Sequence, residues 1–188
     1  MLKDEIARAL KVLQDGGIIL YPTDTIWGIG CDAGNEDAVK KIYALKQREE
    51  SKSMIVLLDN DNKLQGYVSE VPDIAYDLIQ YAEHPLTLVM PGAKNLAKNL
   101  IAADGSVGLR VTQHPFCQQL IQRLRKPLVS TSANISGQPS PKNFNGISAE
   151  IMDGVDYVVD LEQYDLTEKR PSTIMRLEPD GRFEFIRK

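Results

Sequence analysis

The sequence predicts a single α/β domain built on one twisted, mixed sheet. Three observations carry that prediction. Short apolar runs of strand length alternate along the chain with segments whose apolar residues recur at helical spacing. The last two strand candidates flank Pro179-Asp180-Gly181, a hairpin signal that breaks a purely parallel order. The 188 residues suit one domain, spanning 1–188, that buries a hydrophobic core without disulfide or metal staples.

The elements follow in order. Ile6, Ala9, Leu10 and Leu13 mark a first helix that Gly16-Gly17 stop. Gly17 to Tyr21 reads as a buried strand ended by Pro22. Asn35 is a candidate N-cap, and Glu36 and Asp37 place negative charge in the first turn of a second helix with Val39, Ile42 and Tyr43 on its apolar face. Met54 to Leu58 is a strand, Pro72-Asp73 opens a helix containing Ile74, Leu78 and Ile79, and Leu86 to Met90 and Val107 to Val111 are strands. Cys117, Leu120, Ile121 and Leu124 define a helix before the strand Pro127 to Thr131. The stretch SANISGQPSPKNFNG reads as a long functional loop, since strand candidates YVVD, STIMRLE and FEFIR follow it. No internal repeat or low-complexity tract interrupts this order.

Composition narrows the function classes. A net charge of −4 argues against a broad basic surface that binds nucleic acid unaided, while leaving room for a local basic cleft. Cys31 and Cys117 have no Cys or His companion at metal-ligand spacing and are expected as reduced, buried thiols. Charges break up the N-terminal MLKDEIARALKVL, which lacks the apolar centre of a signal peptide, and no run approaches the ~20 apolar residues a membrane span needs. A cytoplasmic protein without membrane partners is therefore expected.

Four polar clusters sit at strand or helix ends, where α/β sheets place ligands. Tyr21-Pro22-Thr23-Asp24-Thr25 brings hydroxyls to the end of a buried strand; the same residues suit a tight turn that satisfies its own backbone. Lys46, Arg48 and Lys52 form a compact set of cations able to clamp phosphates, or a solvated helix C-terminus. Ser130 to Gly137 is dense in hydroxyls and contains Asn134. Lys169-Arg170-Pro171-Ser172-Thr173 precedes a strand. Thr87 and Arg110 are polar residues within strand candidates, and a buried Arg110 would need an anionic partner, a ligand carboxylate being one option. There is no Walker A motif, dinucleotide glycine fingerprint or Gly-x-Ser-x-Gly elbow. His84 and His114 each precede proline and read as turn residues. Hydroxyls and cations without an acid/base pair suit a reaction run by positioning and charge stabilisation, such as nucleotidyl transfer.

The stretches GGIILYPTDTIWGIGCDA, Lys46-x-Arg48 with Lys52, VGLRV followed by HP, STSANISG and RPSTIMRL occur together in an order that resembles the YrdC-like family. The resemblance runs from about Gly16 to the end of the chain. It implies a twisted α/β sheet around a large concave cavity, and synthesis of threonylcarbamoyl-AMP and pyrophosphate from L-threonine, bicarbonate and ATP for tRNA modification. It further implies that Thr23, Thr25, Arg110 and Thr131 contact threonine. Lys46, Arg48 and Lys52 would hold the ATP phosphates, Lys46 and Arg48 as the catalytic pair, and Thr87, Ser132, Asn134, Arg170 and Ser172 would contact the nucleotide. No protein metal ligand is implied; Mg²⁺ would travel with ATP. RNA contact at the cavity rim and downstream tRNA-modifying proteins are the implied macromolecular partners. An RNA-binding or ribosome-associated module, or a paralogue acting on another carbamoylated substrate, are alternative functions. The longer members' additional C-terminal domain does not fit within 188 residues. Glu49 and Ser53 stand where family members often have proline, and Leu57 where longer members place a histidine that touches threonine.

Overall fold

The computed structural model describes all residues, Met1–Lys188. Nine strands form one mixed sheet in the order β7-β1-β2-β6-β3-β5-β4-β8-β9. They are β1 (Ile19–Tyr21), β2 (Gly28–Gly30), β3 (Ile55–Leu58), β4 (Leu86–Met90), β5 (Val107–Val111), β6 (Leu128–Ser132), β7 (Tyr157–Val158), β8 (Thr173–Leu177) and β9 (Phe183–Arg187). The helices are α1 (Leu2–Gln14), α2 (Glu36–Leu45), α3 (Ile74–Tyr81), α4 (Pro115–Leu124) and α5 (Ala149–Gly154). None is long and apolar enough to cross a membrane.

Strand alternation divides the core between the two sheet faces. Val56, Leu58, Leu88, Met90, Leu109, Val129 and Met175 point to one face, where they join Val39 and Ile42 of α2, Ala75 of α3 and Ile151 of α5. Ile19, Tyr21, Leu57 and Leu128 point to the other, where α1 and α4 bring Ile6, Leu13, Phe116 and Leu120. Burial of each such side chain contributes roughly 1.5–3 kcal/mol. The two helices cover only part of this second face. Neighbouring positions on it are polar: Ser130 follows Leu128 on β6, and Arg110 stands opposite Leu57 in register. That uncovered portion is the floor of a cavity.

Most expected elements appear with shortened ends. Asn35 caps α2 by accepting from the Ala38 amide at 3.0 Å, and the β8–β9 hairpin turns at the expected Pro179–Gly181. Cys31 and Cys117 are buried free thiols, whose pKa burial pushes up, away from reactive thiolate chemistry. Two elements were not legible. The stretch Gly28–Gly30 has a single β-branched residue, Ile29, between two glycines, too little to mark a strand, yet as β2 it bridges β1 and β6. The six residues of α5 are too short for periodicity to register.

Glycine is required in β2 by the close approach of its neighbours. A Cβ on Gly30 would lie 2.2 Å from the Val129 carbonyl oxygen and 2.7 Å from the Tyr21 ring. Gly30→Ala is expected to lower unfolding stability by about 2–3 kcal/mol, as overpacking against backbone does; chemical denaturation measures it. A change near zero would mean that β1 and β6 separate freely.

Candidate active site

The open part of the sheet forms a cavity of about 220 Å³. Its lining joins residues from distant parts of the chain: Thr25 to Gly28, Arg48, Ser53 to Ile55, Arg110, Ser130 to Ser132, Ser140, Pro171, Ser172, Ile174 and Arg187. Three arginines contribute, and no Asp or Glu does. Such a site favours anions, and the fork of each guanidinium matches carboxylate or phosphate oxygens.

Arg110 is the most constrained of the three. It is only 3% exposed, and its Nη2 lies 3.3 Å from Oδ1 of Asp24. Nε and Nη2 nevertheless form no hydrogen bond, and neither does that Asp24 oxygen. The other Asp24 oxygen accepts from the Gln113 amide at 3.0 Å. Asp24 thus offsets the buried charge without satisfying the donors, which leaves a reason for a ligand carboxylate to bind there.

The threonines beside Asp24 form an ordered relay. Thr23 Oγ1 donates to the Ile26 carbonyl at 2.7 Å and accepts from the Thr25 amide at 2.9 Å. Its single proton is therefore committed, so in the 3.0 Å contact between the two hydroxyls Thr25 is the donor. Thr25, which lines the cavity, then presents oxygen lone pairs to it and is set to accept from an amine or hydroxyl. Thr23 is 1% exposed and lies behind Thr25, not at the surface of the cavity.

Lys46 is placed differently from a simple phosphate clamp. It is 1% exposed, and its Nζ donates to the carbonyls of Ser132 and Asn134, the latter at 2.6 Å. Its own carbonyl accepts from the Ser136 amide at 2.8 Å. The ammonium thereby braces the STSAN loop from beneath. Burial, with Arg48 close by, brings its pKa down to about 8. Arg48 holds its own loop closed, donating from Nε to the Lys52 carbonyl at 2.8 Å and from Nη2 to the Ser53 carbonyl at 2.9 Å. Those bonds order the loop although Glu49 and Ser53, not prolines, follow Arg48 and Lys52.

Thr87 is fully buried and bonds the Ser172 hydroxyl at 2.8 Å, so it supports Ser172 without lining the cavity. The Asn134 amide donates to the carbonyls of Ile135 and Gln138 and leaves its buried Oδ1 unpaired. Lys52 and Arg170 are exposed and stand next to lining residues Ser53 and Pro171. Of the residues singled out from sequence, the cavity wall therefore contains Thr25, Arg48, Arg110, Thr131, Ser132 and Ser172. Thr23, Lys46, Thr87 and Asn134 lie behind it or beside it, and Lys52 and Arg170 lie outside it. Leu57 packs with α1 and α4 and does not reach the cavity.

Among the lining residues, Trp27, Ser53 and Ser130 fell within the polar clusters of the sequence without being given a role, and Ser140 and Arg187 were missed. Trp27 packs on Phe144 with ring centres 4.8 Å apart and gives the cavity an apolar wall. Arg187, on the edge strand β9, donates to the Ser172 carbonyl at 3.0 and 2.8 Å. Partial burial, with Arg110 nearby, lowers its pKa from the usual arginine value. Nothing in FEFIR marks that arginine, because only the β8–β9 pairing brings it to the site. No group of three His, Cys, Asp or Glu side chains could hold a metal ion. With no carboxylate in the wall, the donor set does not fit a protein-held magnesium.

Comparison with known proteins agrees with this architecture. A threonylcarbamoyl-AMP synthase of Pseudoalteromonas translucida is 39% identical over 158 residues, covering 82% of this chain and 84% of that protein. A protein of the same name from Escherichia coli is 36% identical over 151 residues, covering 79% and 80%. Among solved structures, P. abyssi Sua5 complexed with L-threonine superposes with a TM-score of 0.81 at 26% identity, over 92% of this chain; this chain spans only 50% of that one. The E. coli YciO structure shares the fold, with a TM-score of 0.84 at 22% identity over 100% of this chain and 90% of its own. The family model for Sua5, YciO and YrdC, described as telomere recombination, matches residues 11–188, and the chain belongs to that family.

Proposed function

We propose that this chain is a threonylcarbamoyl-AMP synthase, a nucleotidyltransferase that uses L-threonine, bicarbonate and ATP. The observation that carries the reading is the lining of one cavity by Arg48, Arg110 and Arg187 together with a hydroxyl floor and no carboxylate. Two anionic substrates that meet at a developing charge need such a lining. The synthase names of relatives at 36–39% identity support it, as does L-threonine in the complex of P. abyssi Sua5.

Arg110 takes the threonine carboxylate, and Thr25, with Thr23 behind it and Thr131 across the floor, accepts from the threonine side. The threonine nitrogen forms a bond to the carbon of bicarbonate, the C–O bond to its hydroxyl breaks, and that hydroxide leaves as water with a proton from the amine, which gives the N-carboxylate. One of its oxygens attacks the ATP α-phosphorus, a new P–O bond forms, and the bond to pyrophosphate breaks. Arg48 and Arg187 neutralise the phosphate charge. Lys46 commits two donors to the loop, and the third is the one it can offer to a phosphate. Ser132, Asn134, Ser172 and Thr87 hold the nucleotide wall. The cavity is smaller than the ~300–1,000 Å³ usual for ligand pockets, so the nucleotide extends past it towards Lys52 and Arg170. Magnesium travels on the phosphates, as that ion commonly does. The adenylate product passes to tRNA-modifying partners, for which exposed rim cations are available to contact RNA.

Incubation with ATP, threonine and bicarbonate is expected to release pyrophosphate at a rate that depends on all three. Release at background level without regard to threonine would reject the reading. Salt-sensitive RNA retention without turnover would favour an RNA-binding module instead.

A further inference from the structure

A cluster of charged side chains lies beside the cavity and outside the machinery described above. His114, the N-cap residue of α4, approaches Glu162 with Nε2 2.7 Å from Oε1. The other Glu162 oxygen accepts from Lys169 Nζ at 2.8 Å, and Lys169 also lies 3.7 Å from Asp165. One carboxylate therefore joins the chain four residues beyond Arg110 to the residue immediately before Arg170.

Glu162 has a backbone φ of +55°, a conformation that side-chain-bearing residues avoid. Such backbone is retained where surrounding contacts over-determine it, and these sites concentrate around ligands. Burial raises the Glu162 carboxyl pKa, but the bonds from Lys169 and His114 outweigh that and hold it below the usual range. The same segment is stapled to the other rim loop. The Lys169 amide donates to the Lys142 carbonyl at 3.2 Å, and Lys142 pairs with Glu168 at 3.0 Å. Ser140, two residues before Lys142, and Pro171, two residues after Lys169, both line the cavity.

We infer that Glu162 is a positioning residue for nucleotide binding: by clasping His114 and Lys169 it fixes the 162–172 segment, and so sets Pro171 and Ser172 in the cavity wall with Arg170 beside them. Three features select Glu162 over its neighbours. Both of its oxygens are engaged, one by His114 outside the segment and one by Lys169 within it. Its backbone is held in an unfavourable region. Its contacts end where the cavity wall begins, since Ser172 also carries the Thr87 and Arg187 bonds. A carboxylate serving only stability has no need to sit at such a junction. The inference rests on the nucleotide-binding reading above, and its test has one arm that does not.

The experiment compares Glu162→Ala and the smaller change Glu162→Gln with the unaltered chain. In steady-state pyrophosphate release, the ATP KM is expected to rise about tenfold for Glu162→Ala and less for Glu162→Gln, with the threonine KM within about twofold, as a displaced positioning contact gives. In limited trypsin digestion read by mass spectrometry, cleavage after Lys169 is expected to become about tenfold faster, as local opening of an unfastened segment gives; proline at 171 blocks the next bond. An unchanged ATP KM, a rise shared equally by threonine and ATP, or unchanged cleavage overturns the inference. If the unaltered chain releases no threonine-dependent pyrophosphate, the synthase reading fails. The trypsin comparison then decides by itself whether Glu162 fastens the segment.

Discussion

Arg110→Lys should raise the dissociation constant for threonine about a hundredfold while the protein still folds. A guanidinium offers a planar fork to a carboxylate, and lysine replaces it with a single mobile point charge, a loss of about 2–3 kcal/mol at a buried bidentate contact. The conservative variant is chosen because of Asp24. Arg110 is buried 3.3 Å from that carboxylate, so Arg110→Ala would leave Asp24 without a cation at a cost to folding of about 3–5 kcal/mol. The alanine variant alone would confuse lost binding with lost structure. Calorimetric titration of threonine, read beside the melting temperature, separates them. Unaltered threonine affinity in Arg110→Lys would place the substrate carboxylate elsewhere.

Lys46→Ala is expected to lower the turnover rate by about 10²–10³, the usual loss when one donor to a charge-developing centre is removed. Part of that loss comes through the loop, because the ammonium holds the carbonyls of Ser132 and Asn134 together. A pH profile isolates the contribution of charge. The Lys46 pKa is lowered to about 8 in the folded protein, so the ammonium is present below that pH and lost as pH rises through it. Turnover of the unaltered chain should fall on the alkaline side with a midpoint near pH 8, and Lys46→Arg should flatten that limb because arginine stays charged. The same pKa sets a sign for folding. Above about pH 8 the unfolded chain still binds the proton that the folded one has released, so the stability contributed by this group rises with pH up to its ordinary value. Activity and stability should therefore move in opposite directions over that interval. An alkaline limb that persists unchanged in Lys46→Arg would assign it to another group.

The sequence also carried much of the fold. Asn35 announced the start of α2 because capping is a local contact, made within three residues. The apolar runs at Met54–Leu58 and Val107–Val111 announced central strands because burial on both faces demands apolar residues in succession. Thr25, Arg48, Arg110, Thr131, Ser132 and Ser172 were visible as polar residues at strand or helix ends or, for Arg110, within a strand run. Residue type alone also suited turns and helix ends, and it was the resemblance to the YrdC-like family that singled them out; only for Arg110 within a strand did the cost of burying a charge point to a ligand by itself.

The tertiary structure alone decided how those residues divide. Thr87 and Thr23 carry the same hydroxyl as Thr25, but strand register turns Thr87 onto Ser172 and the turn at Ile26 takes the Thr23 proton. Lys46 and Lys52 looked equivalent in sequence, and one is buried beneath a loop while the other is exposed. Arg187 and Glu162 gave no local sign at all: the first reaches the cavity through the β8–β9 pairing and the second meets a histidine 48 residues away. Local sequence sets which residues can cap, pair or bury, since those energies are made with near neighbours. Which polar group faces a shared cavity depends on contacts between segments far apart in the chain, and no local pattern encodes them.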